Sequence, residues 1–202
     1  MIECDQDCAK FRALGGVMIE TFDGITPRIA ASAFVHPLAL VRGDVQIGEL
    51  CVVHPGAVIN ADWAAIRIGD HVMVEDNCVL HAGLPEDWRR EVGMPLTIGD
   101  DVIIGHGAVV HGTRIGNHVL IGMNATVLQN VEIADSCVIA AGAVVPEGEQ
   151  IPAGSFVAGV PAKIKGKVSK DQSVWTGMSI NKAEGLPVLV EYIRKLRDAC
   201  IP

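Results

Sequence analysis

Aromatic side chains are scarce in this chain: only 4% of its 202 residues are aromatic, although half are apolar. A core built on large rings is therefore excluded, and small aliphatic side chains must fill the interior. A chain of this length can still bury a substantial core. We therefore expect one domain with a narrow interior of Val, Ile and Ala.

Long apolar runs and long basic runs are also lacking. No stretch reaches the roughly 18 apolar residues that a membrane-spanning helix requires, and residues 1–10 are too polar and acidic for a signal peptide. The net charge is −8, which disfavours nucleic acid and anionic membrane surfaces as partners. We expect a cytoplasmic protein with neither a membrane nor a nucleic acid as its partner.

What the sequence does contain is a six-residue repeat. An aliphatic residue recurs at every sixth position through most of the chain, often followed by Gly, and the fifth position of a unit is usually small. The recurring residues are Ile29, Val35, Val41, Ile47, Val53, Ile59, Ile68, Val74, Leu80, Ile98, Ile104, Val110, Ile115, Ile121, Val127, Ile133, Ile139 and Val145. The pattern predicts an all-β chain, a parallel β-helix of hexapeptide repeats whose triangular coils of three short strands stack at about 4.8 Å.

Three segments depart from the repeat. Residues 1–28 are predicted to form an N-terminal cap segment, and residues 83–97 an excursion loop within a β-helix that spans residues 29–167. Residues 168–202 are predicted to form a C-terminal tail. Within it, residues 187–199 carry an apolar stripe at helical spacing, with Pro187 in the first turn. This predicts an α-helix packed along the β-helix.

Six cysteines are present, without the paired spacing of a cysteine metal site. Cys51, Cys78 and Cys137 occupy the small fifth position of the repeat, which predicts that they fill buried corners. The other three lie outside the repeat. This usage fits a reduced, cytoplasmic setting.

The repeat also fixes where three histidines lie. The strands of a coil define three faces, named here by one residue each: face A (Val53), face B (Ile59) and face C (Ile68). His81 and His111 both take the second position of face B, one coil apart and about 5 Å from each other. His106 takes the third position of face A, around the corner from the other two.

These positions predict a metal site shared between copies. Three neutral imidazoles leave the fourth position of a tetrahedral zinc ion open for water. His106 cannot easily reach the ion of its own His81–His111 pair, but a second copy that packs its face A against this face B can supply it. A closed ring of three copies places one site at each interface, so we expect a homotrimer that binds Zn2+.

The other histidines carry weaker signals. His71 and His118 are interpreted as surface residues or hydrogen-bonded filler. His36 and His54 also stack one coil apart, at the second position of face A. No third partner is evident for them in the sequence, so they too are interpreted as surface residues.

The segments around the three histidines resemble the γ-class carbonic anhydrases. The similarity is carried by Val-Leu-His at 79–81, Pro-Leu-Thr-Ile-Gly at 95–99 and Ile-Gly-His-Gly-Ala-Val-Val-His-Gly at 104–112, and it covers roughly residues 29–167. The resemblance implies a left-handed β-helix and a trimer. It also implies zinc, with iron(II) or cobalt(II) as alternatives, bound by His81 and His111 of one subunit and His106 of its neighbour.

The chain departs from that family in two places. The family's Arg-Gly-Asp reads Asn-Ala-Asp at 60–62, and its Asn-x-Gln-Asp reads Met-Val-Glu-Asp at 73–76. An Arg-Gly-Asp does occur at 42–44, and its Arg42 lies one coil earlier than Asn60 in the same column of face B. Asn60, Asp62 and Arg42 are predicted to lie at subunit contacts or to support the ligands. The departures bear on carbon dioxide hydration more than on metal binding.

The resemblance implies reversible hydration of CO2 to bicarbonate, with hydroxide on the metal as the nucleophile. Glu75, at the position of the family's glutamine, is predicted to orient or deprotonate the water, and Asp76 to support the ligands beside it. Glu86 and Glu91 of the excursion loop are candidates for exporting the proton. A solvated charged loop is the alternative interpretation of those two residues.

Two other functions stay open on the sequence. Hexapeptide acyltransferases use acyl-CoA with one histidine as general base and require no metal, and the lysines at 163, 165 and 167 are candidates for contact with CoA phosphates. The third function is that of a catalytically silent relative, a trimeric metalloprotein serving as a scaffold. The departures at Asn60 and Glu75 favour that alternative.

Overall fold

The computed structural model describes residues 12–14, 17–83, 93–172 and 185–200. Strands dominate, and an α-helix, α1, spans Gly185–Ala199. The strands are β1 (Arg12–Leu14), β2 (Val17–Glu20), β3 (Arg28–Ile29), β4 (Phe34–Val35), β5 (Leu40–Ile47), β6 (Val52–Val53), β7 (Val58–Ile68), β8 (Met73–Val74), β9 (Val79–His81), β10 (Leu96–Ile98), β11 (Ile103–Ile104), β12 (Val109–His111), β13 (Arg114–Ile115), β14 (Leu120–Ile121), β15 (Thr126–Val127), β16 (Glu132–Ile133), β17 (Val138–Ile139), β18 (Val144–Val145), β19 (Gln150–Ile151), β20 (Ser155–Gly159) and β21 (Ala162–Lys167).

Successive coils stack in parallel, face on face. On face A, β8 lies between β6 and β11, so Val74 pairs with both Val53 and Ile104. Strands β9, β12, β15 and β18 continue face B in the same way, and β10, β13, β16 and β19 continue face C. The prediction of a parallel β-helix of hexapeptide repeats is confirmed, with about seven coils.

The interior is a column of aliphatic side chains, as the scarcity of aromatic residues predicts. Ile59 and Leu80, at successive coils of face B, are fully buried. Cys51, Cys78 and Cys137 are also buried, which confirms their interpretation as corner residues. Burial raises the pKa of Cys51 to about 12 and that of Cys78 to about 11, so both remain thiols at neutral pH.

Two long strands pass a corner without breaking. β5 and β7 run from face B into face C, and the register between them shifts just after Gly43. Gly43 has a φ of +78°, and a Cβ there would lie 2.5 Å from the backbone oxygen of Ala61, so this crossing requires glycine. β7 therefore stays extended beyond Asn60, which pairs with His81 of the next coil.

Helix α1 packs against the first coils of face A. Leu189 and Ile193 are buried in a cluster with Phe34 and Val52. Arg197 donates hydrogen bonds to two backbone carbonyls in the turn before β4. A C-terminal helix packed along the β-helix is thus confirmed, and it begins two residues earlier than predicted.

Two departures from the repeat are partly described. β1 and β2 pair antiparallel, and β2 pairs in parallel with β5, so strands extend the sheet before residue 28. In the predicted excursion loop, Gly83 and Met94 pair through their backbones. Residues 84–92, with Glu86 and Glu91, lie outside the described residues. No described helix has the length and apolar character needed to span a membrane.

Candidate metal centre

His81 and His111 form a stacked pair on face B. Each is the last residue of its strand, and the parallel pairing of β9 with β12 sets the two residues directly opposite each other. Their ring centroids lie 5.1 Å apart with an interplanar angle of 22°. Counting coils in the sequence gives about 5 Å, in agreement with this separation. Their role as metal ligands stays a prediction.

Two oxygen atoms lie beside this pair without a hydrogen bond from any described residue. Asp62 Oδ1 is 3.0 Å from His81 Nε2 but is not aligned for a hydrogen bond, and Asn60 Oδ1 is buried nearby in the same strand. Asn60 uses its amide to donate to the other Asp62 oxygen at 3.2 Å. Unsatisfied oxygens next to two imidazoles form an electron-rich pocket, and this donor set fits a divalent transition-metal ion.

The electrostatic environment keeps His111 in the form that binds metals. Burial lowers the pKa of His111, and the neighbouring His81 lowers it further, while a hydrogen bond with Gln129 partly offsets both effects. The neutral imidazole is therefore favoured at neutral pH. A neutral imidazole is the form that donates a lone pair to a metal ion.

His106 lies on a different face, in the turn after β11. Its side chain is about half exposed, and its Nδ1 is 2.8 Å from Asp76 Oδ2 and 3.7 Å from Glu75 Oε2. The structure therefore groups His106 with Glu75 and Asp76 and separates it from His81 and His111 within one chain. The face count predicts the same separation.

Sequence reasoning missed a further pair of residues beside Glu75. The interpretation of His54 as a surface residue is wrong: its side chain is only 13% exposed, and its Nε2 lies 3.7 Å from Glu75 Oε2. Tyr192 of helix α1 has its ring centroid 6.3 Å from that of His54. The signal for His54 was present, because it precedes Glu75 by one coil in the same column, whereas Tyr192 is distant in sequence.

The same neighbourhood shifts the ionisation of Tyr192. Burial raises the pKa of Tyr192, and the negative charges of Glu75 and Asp76 raise it further. The tyrosine hydroxyl therefore stays protonated at neutral pH. It also lies within the electrostatic reach of both carboxylates, so it can report their charge.

Arg42 is engaged by the N-terminal segment. Its guanidinium lies 3.5 Å from Glu20 and 4.3 Å from the ring centroid of Phe22. In register it follows Glu20 and precedes Asn60, which places it two coils before His81 in the same column. Its described partners are thus the N-terminal strand and the segment that follows it.

This fold, with its stacked histidines, defines the chain as a left-handed parallel β-helix protein of hexapeptide repeats. A family model described as dynactin subunit 5 matches residues 32–178, and the chain belongs to that family. A curated carbonic anhydrase from Geobacillus kaustophilus is 36% identical to it over 103 residues, which are 51% of this chain and 52% of the relative. The chain spans about half the length of the curated relatives it matches, and its resemblance to the γ-class carbonic anhydrases and hexapeptide-repeat proteins is confirmed.

Two solved structures share the fold over almost their whole length. A Bacillus cereus protein described provisionally as an acetyltransferase is 30% identical, with a TM-score of 0.77 over 92% of this chain and 98% of its own. A hexapeptide transferase family protein from Anaplasma phagocytophilum is 25% identical, with a TM-score of 0.76 over 89% and 98% of the two chains. The fold alone therefore does not distinguish CO2 hydration from acyl transfer. The side chains of the site have to distinguish them.

Proposed function

We propose that this chain forms a homotrimer that hydrates CO2 reversibly to bicarbonate. In this arrangement His81 and His111 of one copy and His106 of the next hold a Zn2+ ion, with iron(II) or cobalt(II) as alternatives. The observation that carries the proposal is the stacked pair of imidazoles at 5.1 Å, with unsatisfied oxygens beside it. A transferase requires only one such histidine.

The position of His106 beside Asp76 supports its use by a second copy. Asp76 lies 2.8 Å from Nδ1, so the proton belongs on Nδ1 and the lone pair on Nε2. A carboxylate beside one ring nitrogen raises the basicity of the imidazole and makes the other nitrogen a better ligand. Because the side chain is half exposed, Nε2 is available to a neighbouring face B.

The bound ion would supply a water whose pKa is lowered to about 7. The side chains of the protein itself would position this water and move its proton. Glu75, 3.7 Å from His106, accepts the proton or orients the water, and Asp62, 3.0 Å from His81 Nε2, supports the ligands from beside that ring. Glu86, outside the described residues, remains the candidate for passing the proton to solvent.

The test combines metal content with stopped-flow CO2 hydration on protein purified without chelator. His106→Ala should lose at least about 100-fold in hydration rate, because the site keeps only two imidazoles. His118→Ala is a matched control, since its side chain is similarly exposed, at 44% against 48%, and pairs with Asp101 elsewhere. Wild-type hydration that His106→Ala leaves intact would contradict the proposal.

One observation favours a second candidate, a catalytically silent scaffold. The family model that matches residues 32–178 is described as dynactin subunit 5. A subunit is a part of a larger assembly, and such a part need not be an enzyme. Arg42 is also engaged by Glu20 and Phe22, whereas the described hydrogen bond to Asp62 comes from Asn60. A trimer that binds metal at His81 and His111 yet hydrates no CO2 would establish this candidate. A protein that binds no metal would point to acyl transfer instead.

A further inference from the structure

Face A carries a second group of metal-ligand side chains. His54 Nε2 and one carboxylate oxygen each of Glu75 and Asp76 all lie within 4.8 Å of one another. Three atoms at such distances can share one ion with bonds of about 2.0–2.2 Å after small side-chain movements. The side chains of His54 and Glu75 are only 13% and 17% exposed, so packing already holds them close to these positions.

His54 supplies an independent observation. Its Nε2 atom is buried, and no described group forms a hydrogen bond with it. Glu75 Oε2 is 3.7 Å away, which is too far for a hydrogen bond. A buried nitrogen without a partner costs free energy, and an ion between the imidazole and the carboxylate would satisfy both groups.

The donor set indicates the kind of ion. One imidazole nitrogen with two carboxylate oxygens favours zinc or a similar first-row divalent ion, whereas Mg2+ prefers oxygen ligands and retains water. We propose that His54, Glu75 and Asp76 bind such an ion within a single chain, at a position called the face A site from here on. The proposal goes beyond the function above, because neither His81 nor His111 is a ligand and no second copy is required.

Two neighbours connect the face A site to the rest of the molecule. Tyr192 places its ring 6.3 Å from that of His54, so the docked helix α1 lies against the histidine. Asp76 Oδ2 also lies 2.8 Å from Nδ1 of His106. An ion at the face A site would therefore sit beside His106, and it would use Glu75 as a ligand so that this carboxylate is no longer a free proton acceptor.

The test removes the interfacial site first. The full chain carrying His81→Ala and His111→Ala is stripped of metal, freed of chelator and titrated with Zn2+ by calorimetry, with Mg2+ as the contrasting ion. About one Zn2+ per chain is expected. Adding His54→Ala should weaken binding by at least about 100-fold, which exceeds the effect of losing a group hydrogen-bonded to a ligand.

A matched control comes from the same column. His36 precedes His54 by one coil on face A, so His36→Ala in the same background should leave the Zn2+ Kd unchanged. Circular dichroism checks that each variant keeps its β structure. If His54→Ala does not fold, Glu75→Gln replaces it, because the amide is isosteric with the carboxylate and still weakens the site.

The outcomes separate this inference from the proposed function. Absence of Zn2+ binding in the His81→Ala/His111→Ala protein overturns the face A site, as does binding that neither His54→Ala nor Glu75→Gln weakens. Zn2+ binding that depends on His54, in a protein whose wild type hydrates no CO2, supports the face A site and contradicts only the proposed function. CO2 hydration by the wild type, without Zn2+ binding that depends on His54, supports the proposed function and contradicts only the face A site.

Discussion

Tyr192 is the single tyrosine of the chain, so its ionisation can be followed without interference from another phenol. Burial raises its pKa first, and the charges of Glu75 and Asp76 raise it further. Glu75→Gln removes one of these charges, and the pKa of Tyr192 should therefore fall towards its ordinary value. A pH titration of the tyrosinate absorbance in metal-free protein measures the change.

The control for this titration is Glu132→Gln, a neutralisation at an exposed residue of face C. It should leave the pKa of Tyr192 unchanged, because water screens a distant surface charge. Equal shifts in both variants would mean that net charge, and not the local carboxylate, sets the pKa of Tyr192. Absence of any shift with Glu75→Gln would mean that Glu75 does not contribute and that burial and Asp76 raise it.

His111 should make the stability of the metal-free protein depend on pH. Its pKa in the fold is lowered by burial and by His81, so the unfolded chain binds more protons at this residue than the folded one. The resulting destabilisation is absent above about pH 6.5 and grows as pH falls towards the folded pKa. Urea unfolding over this pH range should show that the free energy of unfolding declines less steeply with falling pH in His111→Gln than in the wild type. An unchanged decline would contradict the expected role of His111.

The individual site residues differ in how far the sequence predicts them. The stacking of His81 on His111 follows from counting coils, because both sides of the loop keep the repeat. The contact between His54 and Glu75 follows from the same count, yet a histidine beside a glutamate is common on protein surfaces and gave no reason to expect burial. That burial arises where helix α1 brings Tyr192 against His54, and no local pattern predicts where a distant helix docks.

At the scale of elements, helix α1 depends on a few buried side chains for its docking. Ile193 is 3% exposed, whereas Val188 on the same helix is 68% exposed. Ile193→Ala should lower the free energy of unfolding by about 2–4 kcal/mol, because it leaves a cavity against Phe34 and Val52. Val188→Ala is the matched control and should change it by no more than about 0.5 kcal/mol.

Urea denaturation followed by circular dichroism measures both variants. If the helix undocks without unfolding the β-helix, hydrogen exchange will show loss of protection in residues 185–199 alone. Equal effects of the two substitutions would contradict the packing of Ile193. Undocking of the helix by Ile193→Ala should also return the pKa of Tyr192 towards its ordinary value, since that tyrosine is on the same helix.

Strand boundaries show where a sequence repeat stops being informative. The hexapeptide pattern predicts a break at every corner, and most strands do break there. β5 and β7 do not: both continue into face C, past the tight crossing at Gly43, and β7 holds three residues more than a repeat unit, since Ile59 and Ile68 are nine residues apart. A repeat fixes which side chains point inwards, but an insertion is accommodated by whichever backbone path the neighbouring coil permits.

At the scale of the whole molecule, each chain presents two complementary parts of one predicted site. Face B carries two imidazoles beside oxygens that accept no hydrogen bond from a described residue. Face A carries the half-exposed imidazole of His106, whose Nδ1 lies beside Asp76. The fold was predictable because each six-residue unit of the repeat independently indicates the same β-helix. The association of copies was not, since it depends on surfaces that the repeat leaves unspecified.

Shared sites make a strong prediction about mixed assemblies. His106→Ala chains retain His81 and His111, whereas His81→Ala/His111→Ala chains retain His106, and neither kind alone should hydrate CO2. Refolded together in equal amounts, they should recover about a quarter of the wild-type number of complete sites, because roughly three in four trimers are mixed and each has one complete interface. Hydration and His81-dependent metal content are measured on trimers isolated through two different tags, in which one interface of three is complete and about a third of the wild-type sites is expected. A chain with all three substitutions is the control, since it completes no interface with either partner, and mixed trimers as inactive as this control would contradict a site shared between copies.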